Sequence, residues 1–294
     1  GSTFAIGTTT VTATATDDTN NASTCTFTVT VVDTTVPTIA CPANVSGEAT
    51  SSAGAAVSYD AATATDIADD GVDITYSAAS GSTFAIGTTQ VTATATDDAG
   101  NTATCAFDVT VADTTVPAIT CSANVSAEAT SSSGAAVSYD AATATDIADD
   151  SVAITYSAAS GSTFAIGTTQ VTATATDDAG NVSTCTFDVT VADTTVPTIT
   201  CSAAPASVEA ISSSGVAVSY EPATATDTGD GSVAITYSAA SGSTFAIGTT
   251  AVTATATDDS GNTATCTFDV TVVDTIVPTI TCATAPATAE ATSS

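Results

Sequence analysis

Residues 91–111 read VTATATDDAGNTATCAFDVTV. On the left flank Val91, Ala93 and Ala95 alternate with Thr92, Thr94 and Thr96. On the right flank Cys105, Phe107, Val109 and Val111 alternate with Ala106, Asp108 and Thr110. A period of two sends successive side chains to opposite faces of an extended chain, so each flank reads as a strand with one apolar face. Between them lies DDAGN, a run of turn-forming residues. The stretch therefore predicts a β-hairpin. Its turn and cysteine recur as DDAGNVSTC at 177–185, DDSGNTATC at 258–266 and, more loosely, DDTNNASTC at 17–25.

Upstream of this hairpin, Val57 and Tyr59 alternate with Ser58 and Asp60, and Ile74 and Tyr76 with Thr75 and Ser77. Gly, Asp, Asn and Ser separate the runs, and no segment has helical spacing. Several short strands with one apolar face predict an all-β chain built as two-sheet sandwiches. The core of each is thin, drawn from Val, Ile, Ala, Phe and Tyr.

The pattern is periodic. GSTFAIGTT begins at residues 1, 81, 161 and 242, and D-T-[TI]-V-P-x-I-x-C at 33, 113, 193 and 274, with spacings of 80, 80 and 81 residues. A period of this length fits a small domain in tandem array. The expected domains are a partial repeat at 1–32, whole repeats at 33–112, 113–192 and 193–273, and the start of another at 274–294. The opening residues match 81–87, so the sequence reads as an excerpt from a longer repetitive polymer. GSTFAIG has neither the basic nor the apolar region of a signal peptide. No run of 18 apolar residues is present, so no membrane insertion is expected in this segment.

The 294 residues carry a formal charge of −31, with no Lys, Arg or His. No salt bridge to a basic side chain can form. Serine–histidine and cysteine–histidine catalysis, Schiff bases and side-chain phosphate clamps are all excluded. Nucleic acid is excluded as a partner, because phosphate contacts need basic side chains. Disorder is the plain reading of so acidic a chain, but 43% hydrophobic content and regular alternation argue against it.

Eight cysteines stand at 25, 41, 105, 121, 185, 201, 266 and 282, two per repeat. Pairing within repeats gives Cys41–Cys105, Cys121–Cys185 and Cys201–Cys266, with Cys25 and Cys282 pairing to residues outside this sequence. Closing a loop of about 65 residues stabilises by roughly 4 kcal/mol on the chain-entropy model. Pairing across the linker, as in Cys105–Cys121, is an alternative that requires the strand FDVTVAD to double back. Metal ligation is a third, without C-x-x-C spacing or His to support it. Disulfides place the chain in an oxidising, extracellular compartment.

D-x-x-x-P-x-I-x-C from Asp33 to Cys41, followed by F-x-x-G-T-T-x-V-T-x-x-A-T-D-D-x-G-N-x-x-x-C-x-F from Phe84 to Phe107, resembles the hyalin repeat (HYR) domain. The resemblance covers the whole chain. It implies an immunoglobulin-like sandwich, an extracellular setting and a role in adhesion or matrix. Three features depart from the family pattern: basic residues are missing, Tyr59 stands where Trp is frequent, and Cys-Pro survives only at Cys41–Pro42.

On an immunoglobulin-like topology the acidic loops converge where the chain enters each domain. Asp33, Asp66, Asp69, Asp70, Asp97, Asp98 and Asn101 form one such group. Asp113, Asp146, Asp177 and Asp178 form the next, and Asp193, Asp227, Asp258 and Asp259 the third. Calcium takes six to eight oxygen ligands in irregular geometry, so interdomain calcium is the expected cofactor. The linker, with an Asp shortly before a Pro, also resembles the calcium linkers of cadherins. The plain alternative is that these are turn residues facing water.

N-x-[ST] sequons occur at Asn21, Asn44, Asn124 and Asn181, and exposed Thr offers positions for O-glycans. Asn181 also lies in a loop assigned to the metal, and it cannot readily serve both roles. The leading functional expectation is a structural segment of an extracellular fibre or stalk, whose partners are further copies of its own repeats. The alternative is the spacer or binding region of a cell-surface adhesin that recognises a glycan or surface ligand. An enzyme is not expected, because the same Asp pairs recur in every small domain, without room for a cleft.

Overall fold

The structure is a computed structural model that describes residues 1–69 and 71–284. It is all-β, without helix among the described residues. Packing divides the chain into two compact units. One comprises Gly1–Cys121, Ala141–Tyr156 and Thr172–Cys185; the other comprises Ser122–Asp140, Ser157–Val171 and the described part of Thr186–Ser294.

In the first unit, residues 33–112 show the architecture in full. A four-stranded sheet runs in the order Val45–Glu48, Thr102–Ala112, Gly87–Thr96, Asp73–Tyr76. The two long strands form the hairpin, with Phe107 opposite Val91 and Cys105 opposite Ala93. Val45–Glu48 joins the sheet parallel to Thr102–Ala112. Thr38–Ala40 pairs with Thr63–Thr65, and Ala55–Ala56 with Thr83–Phe84; these short ribbons form the opposing layer. The first strand is therefore split, its start in one layer and its continuation in the other.

Alternation decides the core. Val91, Ala93, Ala95 and Val109 are fully buried, and Phe107 and Phe84 nearly so, while the Thr residues between them face outward. The Tyr59 ring meets Phe107 edge-on at 4.8 Å, an arrangement its quadrupole favours. Its hydroxyl donates to the Ala78 carbonyl, and the Tyr76 hydroxyl accepts from the Ala62 N–H at 2.7 Å, so neither phenol is buried without a partner. Gly54 has φ +107°, and a Cβ there would lie 1.9 Å from the Phe84 carbonyl oxygen. Only glycine fits.

The disulfide Cys41–Cys105 ties the two layers together just past the short Thr38–Ala40 strand. Cys121–Cys185 repeats the staple in the first unit and Cys201–Cys266 in the second. Cys25 and Cys282 are exposed and have no disulfide partner among the described residues.

The first unit also holds the hairpin Gly7–Thr16 and Ala22–Val31. Its Phe27, equivalent to Phe107, is 54% exposed. Within the same unit Ala148 joins the core cluster of Val57, Tyr59 and Phe84, and the Ser52 hydroxyl donates to Asp150. The loop after Thr143–Thr145 thus closes the end of the preceding repeat's core.

The second unit repeats the design. Its sheet runs Val208–Glu209, Thr263–Val273, Gly248–Thr257, Ala234–Tyr237, around Val218, Tyr220, Phe245, Val252 and Phe268.

Candidate metal centre

Each predicted acidic group resolves into a triad. Asp33, Asp66 and Asp97 bring one carboxylate oxygen each to within 4.8 Å of one another; Asp113, Asp146 and Asp177 do the same, as do Asp193, Asp227 and Asp258. The first two triads lie in the first unit and the third in the second. Each combines one linker residue, one residue just past a short Thr-Ala-Thr strand, and the first aspartate of the hairpin loop.

The turn sets the geometry. Asp97 N–H donates to the Asn101 carbonyl at 3.1 Å, and Gly100, at φ +90°, donates its N–H back to the Asp97 carbonyl. The Asn101 amide then donates to Asp97 Oδ2 at 2.7 Å and to the Asp33 carbonyl at 3.4 Å, tying the hairpin to the linker. Asn181 and Asn262 make the equivalent bonds, to Asp177 and the Asp113 carbonyl and to Asp258 and the Asp193 carbonyl.

The second aspartate of each pair points elsewhere. Asp98, Asp178 and Asp259 are exposed. Their backbone N–H groups donate to Asp69, Asp149 and Asp230, whose carboxylates thereby brace the loop. Asp70 lies outside the described residues.

Several triad carboxylates divide their two oxygens. Asp66 Oδ1 accepts the Ala68 N–H at 2.8 Å, Asp146 Oδ1 accepts the Ala148 N–H at 2.8 Å, and Asp193 Oδ1 accepts the Thr195 N–H at 3.2 Å. The other oxygen of each, Asp66 Oδ2, Asp146 Oδ2 and Asp193 Oδ2, is buried without a hydrogen-bond partner. A buried unpaired carboxylate oxygen is costly. At an effective dielectric of about 20, two such charges 4 Å apart repel by roughly 4 kcal/mol. Oxygen donors of this kind suit a hard divalent cation, calcium before zinc or copper.

The electrostatics agree. Burial, and then the charges of Asp146, Asp177 and Glu48, push the Asp113 carboxyl above its usual value, against a bond from the Thr115 N–H. Asp193 is raised by burial and by Asp227, Asp258 and Glu128. Burial acts on Asp97 and Asp177 too, but bonds from Asn101 and Asn181 outweigh it and hold both below the ordinary range.

Sequence reasoning missed Glu48, Glu128 and Glu209. Glu48 accepts from the Thr114 N–H at 2.7 Å and from the Thr114 and Thr115 hydroxyls, clamping the linker beside Asp113. Glu128 clamps Thr194 and Thr195, and Glu209 clamps Thr275. The signal was present: a lone Glu recurs in GEATSS, AEATSS and VEAISS at the repeat spacing.

Disulfide-stapled β-sandwich repeats, joined through short linkers lined with carboxylates, define a tandem-repeat all-β protein. The HYR domain model matches residues 1–31, 32–111, 112–191 and 192–272, and the chain belongs to the hyalin repeat family. It is 38% identical to Hyalin of Strongylocentrotus purpuratus over 97% of this chain and 25% of that protein. With Hyalin of Lytechinus variegatus it shares 34% identity, covering 68% of this chain and 40% of the relative. The chain thus spans a quarter to two-fifths of these relatives. Similar solved structures include mouse Cadherin-23 EC22–24, at 14% identity and TM-score 0.34 over 81% of this chain and 99% of that one. The Protocadherin GammaB4 extracellular domain is another, at 17% identity and TM-score 0.34 over 90% and 55%. Scores this low carry no argument about the site. The protein is extracellular or cell-surface, and its family is not one of enzymes.

Proposed function

We propose that this chain is a structural segment of an extracellular fibre or stalk, in which calcium binds the three aspartate triads and locks each repeat to the next. The domains are the repeats 33–112, 113–192 and 193–273, flanked by the partial repeats 1–32 and 274–294, and the partners are further copies of the same repeats. The observation that carries this reading is the set of buried, unpaired carboxylate oxygens on Asp66, Asp146 and Asp193, each residue belonging to a triad with two further aspartates. One triad member comes from the linker, so an ion there ties linker to loops and removes the swivel between neighbours. Loss of the mutual repulsion is the driving force.

The remaining chemistry fits a load-bearing, non-catalytic role. The sequence has no Lys, Arg or His, so it offers no basic side chain for substrate activation and no site for proteases that cut after basic residues. Electron microscopy of the native material, with calcium and then with a chelator, tests the proposal. Long uniform filaments that become sinuous in the chelator are expected. Isolated rods with a distinct head, unchanged by the chelator, would instead mark an adhesin spacer.

A further inference from the structure

The four N-x-[ST] sequons are not equivalent in the fold. At Asn181 both hydrogens of Nδ2 are in use: one goes to Asp177 Oδ2 at 2.9 Å and one to the Asp113 carbonyl at 3.2 Å. Asn101 and Asn262 make the same pair of bonds, yet each is followed by Thr-Ala and forms no sequon. The asparagine at this position therefore serves the junction, and Val-Ser after Asn181 is incidental. Asn21 is committed in a similar way, its Nδ2 donating to Asp17 Oδ2 at 3.0 Å and to the Thr19 hydroxyl at 2.9 Å.

Asn44 and Asn124 are different. Both are exposed. Each uses its Oδ1, which accepts the Asp108 N–H or the Asp188 N–H at 2.9 Å. No Nδ2 bond is present for either among the described residues. The carbonyl oxygen fixes the side chain and leaves the amide nitrogen facing out. Ser46 and Ser126 are exposed two residues on, while Val45 and Val125 are half-buried. The pleat of the strand puts Asn and Ser on the same outward face.

We propose that Asn44 and Asn124 carry N-linked glycans and that Asn21 and Asn181 do not. The donor class is an oligosaccharide on a lipid pyrophosphate. The amide nitrogen forms the C–N bond to the anomeric carbon as the bond from that carbon to the pyrophosphate oxygen breaks. The lipid pyrophosphate leaves with the bonding pair, and one amide proton passes to the transferase. The product keeps Oδ1 and one N–H, so the bond from Asp108 or Asp188 survives. At Asn181 the same replacement removes a hydrogen that the junction uses. The third whole repeat has Ala-Pro-Ala at 204–206 and no sequon there, so the glycans mark only two of the three.

Glycopeptide mass spectrometry on reduced native material tests this. Cleavage after Asp and Glu, the charged residues the chain supplies, gives distinct peptides: TTVPTIACPANVSGE with Asn44, TTVPAITCSANVSAE with Asn124, and others with Asn21 and Asn181. Sugar on the first two and bare peptides for the others is the expected result. A bare Asn44 or Asn124, or sugar on Asn21 or Asn181, overturns the proposal.

Discussion

At Asp146 the two carboxylate oxygens have separate work. Oδ1 holds the loop through the Ala148 N–H, and Oδ2 is buried without a partner in a residue whose carboxylate lies close to Asp113 and Asp177. Asp146→Asn keeps the shape and deletes one charge, so its effect should change sign with calcium. In a chelator the variant melts higher, because a repulsion is gone; in calcium it melts lower, because a ligand is gone. Each effect is expected to be about 1–3 kcal/mol, read by calorimetry of the whole chain. Glu128 gives a pH prediction. Bonds from the Thr194 N–H and hydroxyl hold its carboxyl below the usual range. A depressed folded-state pKa contributes stability above the unfolded value, about 4.3, and loses it as pH falls through the folded one. Glu128→Gln should therefore lower the melting temperature at neutral pH and flatten the acid limb, the two curves converging as pH falls. The DD-x-G-N loops and linker aspartates were legible as a site because they recur. Which aspartate of each pair turns inward was not, since that depends on the Gly100 turn and the Asn101 bonds. Glu48 escaped notice because its partner lies 66 residues away.

Among the elements, the long hairpins carry the core and the short ribbons close it. Gly134 has φ +104°, and a Cβ there would lie 1.8 Å from the Phe164 carbonyl oxygen. Gly134→Ala should cost more than about 1 kcal/mol, seen as a lower melting temperature with the secondary structure retained. Replacing Cys121 and Cys185 together by Ser should cost about 2–5 kcal/mol, because the staple joins the two layers of a thin sandwich. The hairpins were readable because six residues alternate before the turn and seven or more after it. The split first strand was not. Thr38–Ala40 and Val45–Glu48 are too short to show a period, and Cys41 and Pro42 between them gave no hint of a change of layer. Ala55–Ala56 and Thr83–Phe84 are shorter still, and their pairing is fixed by the glycine at 54 and the Phe84 side chain packed beneath.

For the whole molecule the governing quantity is charge. A formal −31 spread over repeated carboxylates keeps copies apart and strains each junction, and monovalent salt screens only the exposed part of that repulsion. A bound divalent ion relieves the buried part. A ligand that binds only the folded state stabilises by about 2.7 kcal/mol at a hundredfold excess over its Kd. For domains of this size that is on the order of ten degrees. The direct measurement is a calcium titration of the chelator-treated chain by calorimetry, paired with its melting curve at each point. The account predicts saturable binding at the three triads, a melting temperature that rises with occupancy, and loss of both on Asp66→Asn, Asp146→Asn and Asp227→Asn combined. No heat of binding, with the same melting temperature in calcium and in chelator, would contradict it.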